Sequence, residues 1–385
     1  MNPDHKTLCA TLTALLVTSC TALGFDTPYQ QWKNGPPSDP DFFPIAVWLQ
    51  SPKNASRYQA AGINVYVGLW RGPTSEQLGA LKQAGMRLIC SQSPTALSNI
   101  NNPLIIGWMH GDEPDNAQAR PGGKGYGPPI LPQTIVSNYH RLATKDSTRP
   151  VLLNLGQGVA WDNYIGRGVR RNHPEDYPDY ILGCDIASFD IYPAVHSDPP
   201  IAGKLEYVAK GVERLVDWGG SNHIVWNCIE ASRISNTKVK PTATQIKTEV
   251  WMSLIHGSRG LIYFVHQFKP VFQEASLLED EELLKGVTAI NAQVRELAPV
   301  LNSPTSSGAV TVENRAIATM VKSHRGAIYL FAVNMRNEPT QARFTLQAPS
   351  SAVEVLGEHR KLSLAQTTFS DAFAPYAVHL YRATN

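Results

Sequence analysis

The chain has 385 residues, 43% hydrophobic and 17% charged, with a formal net charge of +2 and a mean hydropathy of −0.21. This is the composition of a soluble globular protein with room for one large domain and a smaller one. The near-neutral balance excludes the basic footprint of a nucleic-acid partner, and no solenoid-type repeat is present.

Residues 1–24 read as an export signal. Lys6 supplies the charged start, and Leu8 to Leu23 is apolar and small, too short and too punctuated for a spanning helix. Val17-Thr18-Ser19-Cys20 resembles the lipobox of bacterial lipoproteins, which implies a lipidated Cys20 as the one attachment to a membrane. Ordinary cleavage near Ala22-Leu23-Gly24 is the alternative. Either route predicts a bacterial protein that is secreted, periplasmic or lipid-anchored at the outer surface, and a monomer is expected. Cys90, Cys184 and Cys228 remain after ordinary cleavage. Each sits in a predicted strand and none forms a Cys-x-x-Cys pair, so buried free thiols are expected and a disulfide framework is not.

From about residue 43 to 268 apolar strand-like runs alternate with helical periodicity. The strands are expected at Phe43–Gln50, Ile63–Trp70, Met86–Gln92, Leu104–Gly111, Pro150–Gly156, Cys184–Tyr192, His223–Ala231 and Gly260–Phe268. The clearest helices are Thr74–Ala84, Pro132–Lys145, Ile201–Trp218 and Thr242–His256. Eight strand-plus-helix units imply a parallel sheet and, by count and size, a closed (β/α)8 TIM barrel over residues 25–304. An open doubly wound sheet is the alternative, but no glycine-rich phosphate turn follows the first strand. Two long loops, Ala119–Pro132 and Val159–Pro178, have the glycine, proline and aromatic content of cleft walls. After a helical stretch at Glu279–Val300 the texture changes. Short alternating runs at Ala309–Val312, Ala316–Lys322, Ala327–Asn334, Gln341–Leu346, Val353–Leu356 and Tyr376–Tyr381 predict a small antiparallel β-sandwich over 305–385.

The chemistry concentrates at strand ends. Leu104-Ile105-Ile106 runs into Gly107-Trp108-Met109-His110-Gly111-Asp112-Glu113-Pro114-Asp115, where a proline ends the strand just after adjacent carboxylates. A second apolar strand, His223-Ile224-Val225-Trp226-Asn227-Cys228-Ile229, ends on Glu230. In a parallel barrel the C-terminal strand ends form the active face. Glutamates from the fourth and seventh strands can therefore meet across its mouth, as hydrolysis of a glycosidic bond requires. Glu113 is the expected acid/base and Glu230 the expected nucleophile.

In Trp108 to Pro114 and Trp226 to Ser232 the chain resembles clan A glycoside hydrolases, and the resemblance covers roughly residues 40–300. The run Asp371-Ala372-Phe373-Ala374-Pro375-Tyr376-Ala377-Val378-His379 also resembles the final strand of sandwich domains appended to such barrels. This implies a retaining glycosidase that cleaves β-linkages of a poly- or oligosaccharide by double displacement on two glutamates, without cofactor or metal. Many clan members place Asn before the acid to bond the sugar 2-hydroxyl. Asp112 stands there in this chain, able to accept that bond and to raise the pKa of its neighbour. Tyr192, ending the sixth strand, is expected to donate to Glu230, with Asp190 on the same face by alternation. Trp48, Trp70 and Trp161 are candidate stacking partners for sugar rings. Asn154 and His266 end the fifth and eighth strands as candidate substrate contacts.

Two other functions compete. A metal-dependent hydrolase on the same barrel would place His-x-His at the first strand, which instead reads Ala46-Val47-Trp48-Leu49-Gln50. His110, His256 and His266 are the one possible cluster, and no pair has ligand spacing. A non-catalytic carbohydrate-binding barrel would keep the aromatic residues with no need of both glutamates.

Overall fold

A computed structural model describes residues 27–384, so the export segment and Cys20 lie outside the described residues. Strands β1 (Ile45–Trp48), β2 (Val65–Val67), β3 (Arg87–Cys90), β4 (Ile105–Asp112), β5 (Val151–Leu155) and β6 (Ile186–Phe189) pair in parallel in chain order. They are followed by β7 (Ile224–Val225), β8 (Asn227–Glu230) and β9 (Leu261–Phe264), and β9 pairs with both β8 and β1. β7 and β8 are halves of one stave divided at Trp226, so nine strands make an eight-stave closed barrel, as expected.

The division has a local cause. The Trp226 N–H donates to Ala187 O of β6 at 2.9 Å, and the Asn227 N–H donates to Gly260 O, at the entry to β9, at 3.1 Å. The stave thus changes partner at this residue. The buried indole of Trp226 donates to Tyr29 Oη at 2.8 Å. A Cβ at position 260 would stand 2.5 Å from that ring, so only glycine fits.

Side chains alternate across the staves. Ala46, Val65, Ile89, Leu152, Ile186 and Ile262 fill the barrel interior, while Val47, Leu88, Ile105, Leu153 and Leu261 pack outward. The outer layer is built from α1 (Ala55–Ala60), α2 (Ser75–Gln83), α3 (Pro94–Ser98), α4 (Pro132–Lys145), α5 (Tyr177–Ile181), α6 (Glu206–Gly219) and α7 (Ala243–Ile255). The stretch expected as one helix at Glu279–Val300 is three: α8 (Ser276–Glu279), α9 (Glu281–Glu296) and α10 (Ala298–Leu301). Asp280 caps α9 by accepting the Leu283 N–H at 3.2 Å, and Pro299 opens α10. Among the described residues no helix is long and apolar enough to cross a membrane.

The C-terminal strands are β10 (Val310–Val312), β11 (Ile317–His324), β12 (Ala327–Asn334), β13 (Thr340–Leu346), β14 (Ala352–Val355), β15 (Arg360–Leu362), β16 (Thr368–Phe373) and β17 (Val378–Thr384). They form two antiparallel sheets, β10-β13-β16 and β11-β12-β17-β14-β15, around Phe344, Phe369, Phe373 and Tyr381. The sequence signals six of these eight strands, because β15 and β16 interleave too many polar residues to stand out. The sandwich rests on α7 through Trp251 against Phe331, 5.1 Å between centroids, and on α6 through a hydrogen bond from Tyr376 Oη to Glu206.

Candidate active site

β4 is fixed from outside the barrel. Trp108 Nε1 donates to Asp146 Oδ2 at 3.1 Å, Arg149 pairs with the same carboxylate at 2.7 Å, and Arg149 Nε holds the Ile105 carbonyl at 2.7 Å. The strand then delivers Asp112 and Glu113 to the mouth. Glu113 itself sits in the left-handed region, φ 42°, with its N–H on Asn154 O at 3.0 Å. Asp115 closes the turn from below: its buried carboxylate accepts the Gly156 N–H and the Tyr177 hydroxyl, both at 2.9 Å. The first half of Asp-Glu-Pro-Asp therefore faces the mouth, and the last residue anchors the loop.

The mouth opens into a cavity of about 920 Å³ lined by residues of most staves. Of the residues expected from sequence, it brings together Asp112, Glu113, Asn154, Asp190, Tyr192, Trp48, Trp70 and His266. Asn154 is the hub of the polar side. Its Nδ2 donates to Asp112 Oδ1 at 3.0 Å and lies 3.5 Å from Asp190 Oδ1, while its Oδ1 accepts from Ser188 at 2.8 Å and faces the Cys228 thiol at 3.5 Å.

Glu113 and Asp190 are in hydrogen-bond contact with each other, and burial raises both. Glu113 is lifted to about 7, burial being aided by the charges of Asp112 and Asp115 against the bond from Asp190. Asp190, deeper, is raised well above the ordinary carboxylate range by burial and then by the Glu113 charge. Two carboxyls this close cannot both ionise at neutral pH, so the pair holds one proton and titrates as a unit. Burial likewise lowers His266, which is neutral and lies 3.1 Å from the Gln50 amide nitrogen.

The structure does not bring Glu230 to this cavity, and that corrects the expected pairing with Glu113. Glu230 is fully buried. Its oxygens accept the backbone N–H groups of Ala194 at 2.7 Å and Val195 at 3.0 Å. Beside it stands Glu249 of α7, in hydrogen-bond contact with Glu230 and with no other partner. Burial lifts Glu230 to about 7 and Glu249 further. Those amides take the place expected for Tyr192, whose ring packs on Phe264 with 5.3 Å between centroids. Trp161 is a second correction. It is buried against Tyr164 and His196 and does not line the cavity, and its neighbour Tyr164 does so in its stead. Of the two long loops, Val159–Pro178 contributes Tyr164 to the wall and Ala119–Pro132 contributes nothing.

Several cavity residues carry no sequence signal of their own. Gln50 accepts from Tyr58 at 2.6 Å and donates to the Glu274 carbonyl at 2.8 Å, and the Glu274 side chain accepts the Ser51 N–H at 2.5 Å. Phe264, Phe268 and Phe272 line the opposite wall. The phenylalanines were findable, since Phe264 ends the eighth strand and Phe268 and Phe272 follow it in a run with His266. Leu49, Glu113 and Ile234 all line the cavity with positive φ, and for a β-branched residue such as Ile234 that is a true outlier. His110 and His256 are held elsewhere, by the carbonyls of Ile135 and Met252. Among the described residues no group of three His, Cys, Asp or Glu could hold a metal. Cys90, Cys184 and Cys228 are buried and free.

No protein-family model matches the chain, and no curated protein matches it. Solved structures do. An α-amylase from Geobacillus thermoleovorans complexed with acarbose superposes with a TM-score of 0.56 at 10% identity, over 90% of this chain and 99% of that one. AmyP in complex with maltose gives 0.55 at 9% identity, over 89% and 96%. A putative α-galactosidase from Bacteroides fragilis gives 0.52 at 10%, over 90% and 80%. The barrel-plus-sandwich architecture expected from the glycoside hydrolase resemblance is thus the fold shared with these structures. At this identity the likeness concerns fold.

Proposed function

We propose that the protein is a glycoside hydrolase acting on an oligo- or polysaccharide at the barrel mouth. The observation that carries this reading is the Glu113–Asp190 pair: two half-buried carboxyls from the ends of the fourth and sixth staves, sharing a proton, in a cavity walled on the far side by aromatic rings. Glycosidic cleavage requires one protonated carboxyl to assist the leaving oxygen and one ionised carboxylate to attack the anomeric carbon or activate water. In this reading Asp190 takes the place of Glu230 in the expected two-glutamate mechanism.

Asp112 and Asn154 then serve the sugar hydroxyls, fixed by their mutual bond at 3.0 Å. The kinship in fold with an α-amylase and a putative α-galactosidase adds support by analogy only. The β-linkage rests on the sequence resemblance, and export with lipidation at Cys20 rests on residues 1–24. The test is turnover over a panel of polysaccharides and aryl glycosides, with the product anomer followed by NMR. Glu113→Gln and Asp190→Asn should each lose it, and wild-type turnover in either variant would remove the assignment.

A further inference from the structure

The cavity is chemically two-sided. Its carboxyl side comes from the fourth to sixth staves, with Asp112, Glu113 and Asp190. The opposite side comes from beyond the eighth and second staves. There Phe264, Phe268 and Phe272 stand with 6.2 and 6.0 Å between successive ring centroids, and Phe268 and Phe272 each contact His266, at 6.1 and 6.4 Å. Trp70 completes this rim. These rings are held up where water reaches them: Phe268 is 47% exposed, Phe272 59% and Trp70 67%. A short hairpin presents Phe268 and Phe272, its ends paired by Gln267 N–H to Gln273 O at 2.9 Å and the reciprocal bond at 2.8 Å.

No lysine or arginine lines the cavity, whereas a fourth carboxylate, Glu274, does. Lys269, in the same hairpin, is exposed and is not part of the wall. An anionic sugar entering this site would meet carboxylates on one side and hydrocarbon on the other, with no cation to receive it. A neutral sugar meets hydroxyl acceptors on one side and, on the other, rings that cover the apolar C–H face of a pyranose.

We infer that the substrate is an uncharged glycan of at least two sugar units, one unit addressed by the carboxyl side and the next laid flat on the Phe268–Phe272 shelf, and that uronic and sulfated glycans are excluded. The inference deepens the glycoside hydrolase reading and rests on it for the site of cleavage. The shelf supplies affinity for the longer chain, and the acid-only wall supplies the selection by charge.

The experiment is calorimetric titration of the full-length Glu113→Gln protein with cellotetraose, maltotetraose, β-1,4-galactotetraose and tetragalacturonate, beside kinetics of the otherwise unchanged enzyme. At least one neutral tetraose should bind, and tetragalacturonate should not. The double variant Phe268→Ala/Phe272→Ala should weaken the tetraose roughly ten- to a hundredfold, from the buried ring area lost. Its loss of kcat/KM on the tetraose should exceed its loss on an aryl monoglycoside by tenfold or more. Single variants at each ring, checked by circular dichroism, guard against a misfolded double variant. Tighter binding of tetragalacturonate than of any neutral tetraose, equal losses on short and long substrates, or no binding by the whole panel would each overturn the inference. A neutral tetraose that binds without being cleaved by the unmodified enzyme upholds the substrate class and sinks the hydrolase reading instead. Hydrolysis confined to uronate-bearing polymers does the reverse.

Discussion

Glu230→Gln separates a nucleophile from a carboxylate that holds the site together. Glu230 accepts the N–H groups of Ala194 and Val195, in the loop that leaves the stave carrying Asp190 and Tyr192. Glutamine keeps one acceptor oxygen but turns an NH₂ toward the second amide. One charge-assisted bond, about 1.5–3 kcal/mol, is lost and one buried N–H is left unsatisfied at about 1–3 kcal/mol. Against this, the new NH₂ can keep the contact with Glu249 by donating to it. A net destabilisation of about 1–3 kcal/mol follows, or a Tm lower by about 2–12 °C at roughly 2–4 °C per kcal/mol for a domain of this class. Loosening the loop by about 1 Å should cost roughly a hundredfold in kcat, since Asp190 depends on it for aim. Loss of a covalent nucleophile costs more, on the order of 10⁴-fold or above, and in Glu230→Ala it leaves a gap that an external anion can fill. The assay is kcat and KM on an activated aryl glycoside, with and without azide, alongside a melting curve. A folded Glu230→Ala protein that loses all turnover and regains it in azide, releasing a glycosyl azide of inverted anomeric configuration, would show Glu230 to be the nucleophile and refute this reasoning.

Asp190→Asn and Glu113→Gln should each reduce kcat/KM by on the order of 10³-fold or more, and azide added to the corresponding alanine variants should give a glycosyl azide of inverted configuration at the residue that attacks carbon and of retained configuration at the acid/base. The pH profile of kcat/KM should rise through an apparent pKa near 7, where Glu113 ionises and leaves the pair with its one shared proton; a flat profile from pH 5 to 9 would count against the pair. Glu230 and Glu249 have folded-state pKa values above those of the unfolded chain, so the folded state binds more protons and stability declines as pH rises from about 4.5 toward and past 7. Glu249→Gln, donating to Glu230, should flatten that decline and raise Tm at pH 8, and a lower Tm there would contradict it. Burial raises the thiols of Cys90, Cys184 and Cys228, so an aromatic disulfide reagent at pH 7.5 should label them only after denaturation.

The barrel was legible because each stave is a nearly unbroken apolar run buried on both faces, and such runs keep their signal wherever the chain goes next. The break at Trp226 was not, since it depends on Tyr29 and Gly260 meeting one indole from distant positions. The carboxyl side of the site was legible for a related reason. Asp112, Glu113, Asn154 and Asp190 sit at the ends of consecutive staves, where strand direction alone decides which end they occupy.

Glu230 shows where that logic stops. By alternation it shares a face with Cys228, which lines the cavity, and its position at a strand end argued for catalysis. But alternation places a Cβ, and a carboxylate three bonds further out goes where it finds donors. A fully buried carboxylate costs several kcal/mol without them. Ala194 and Val195 offer two amides in the neighbouring loop, and nothing in their side chains advertises it. Asp190, read from the sequence only as a face-mate of Tyr192, lacks such backbone donors in the structure and meets Glu113 instead. The pattern of donors around two acidic groups, which no single-residue signal encodes, is what keeps Glu230 out of the cavity and leaves Asp190 in it.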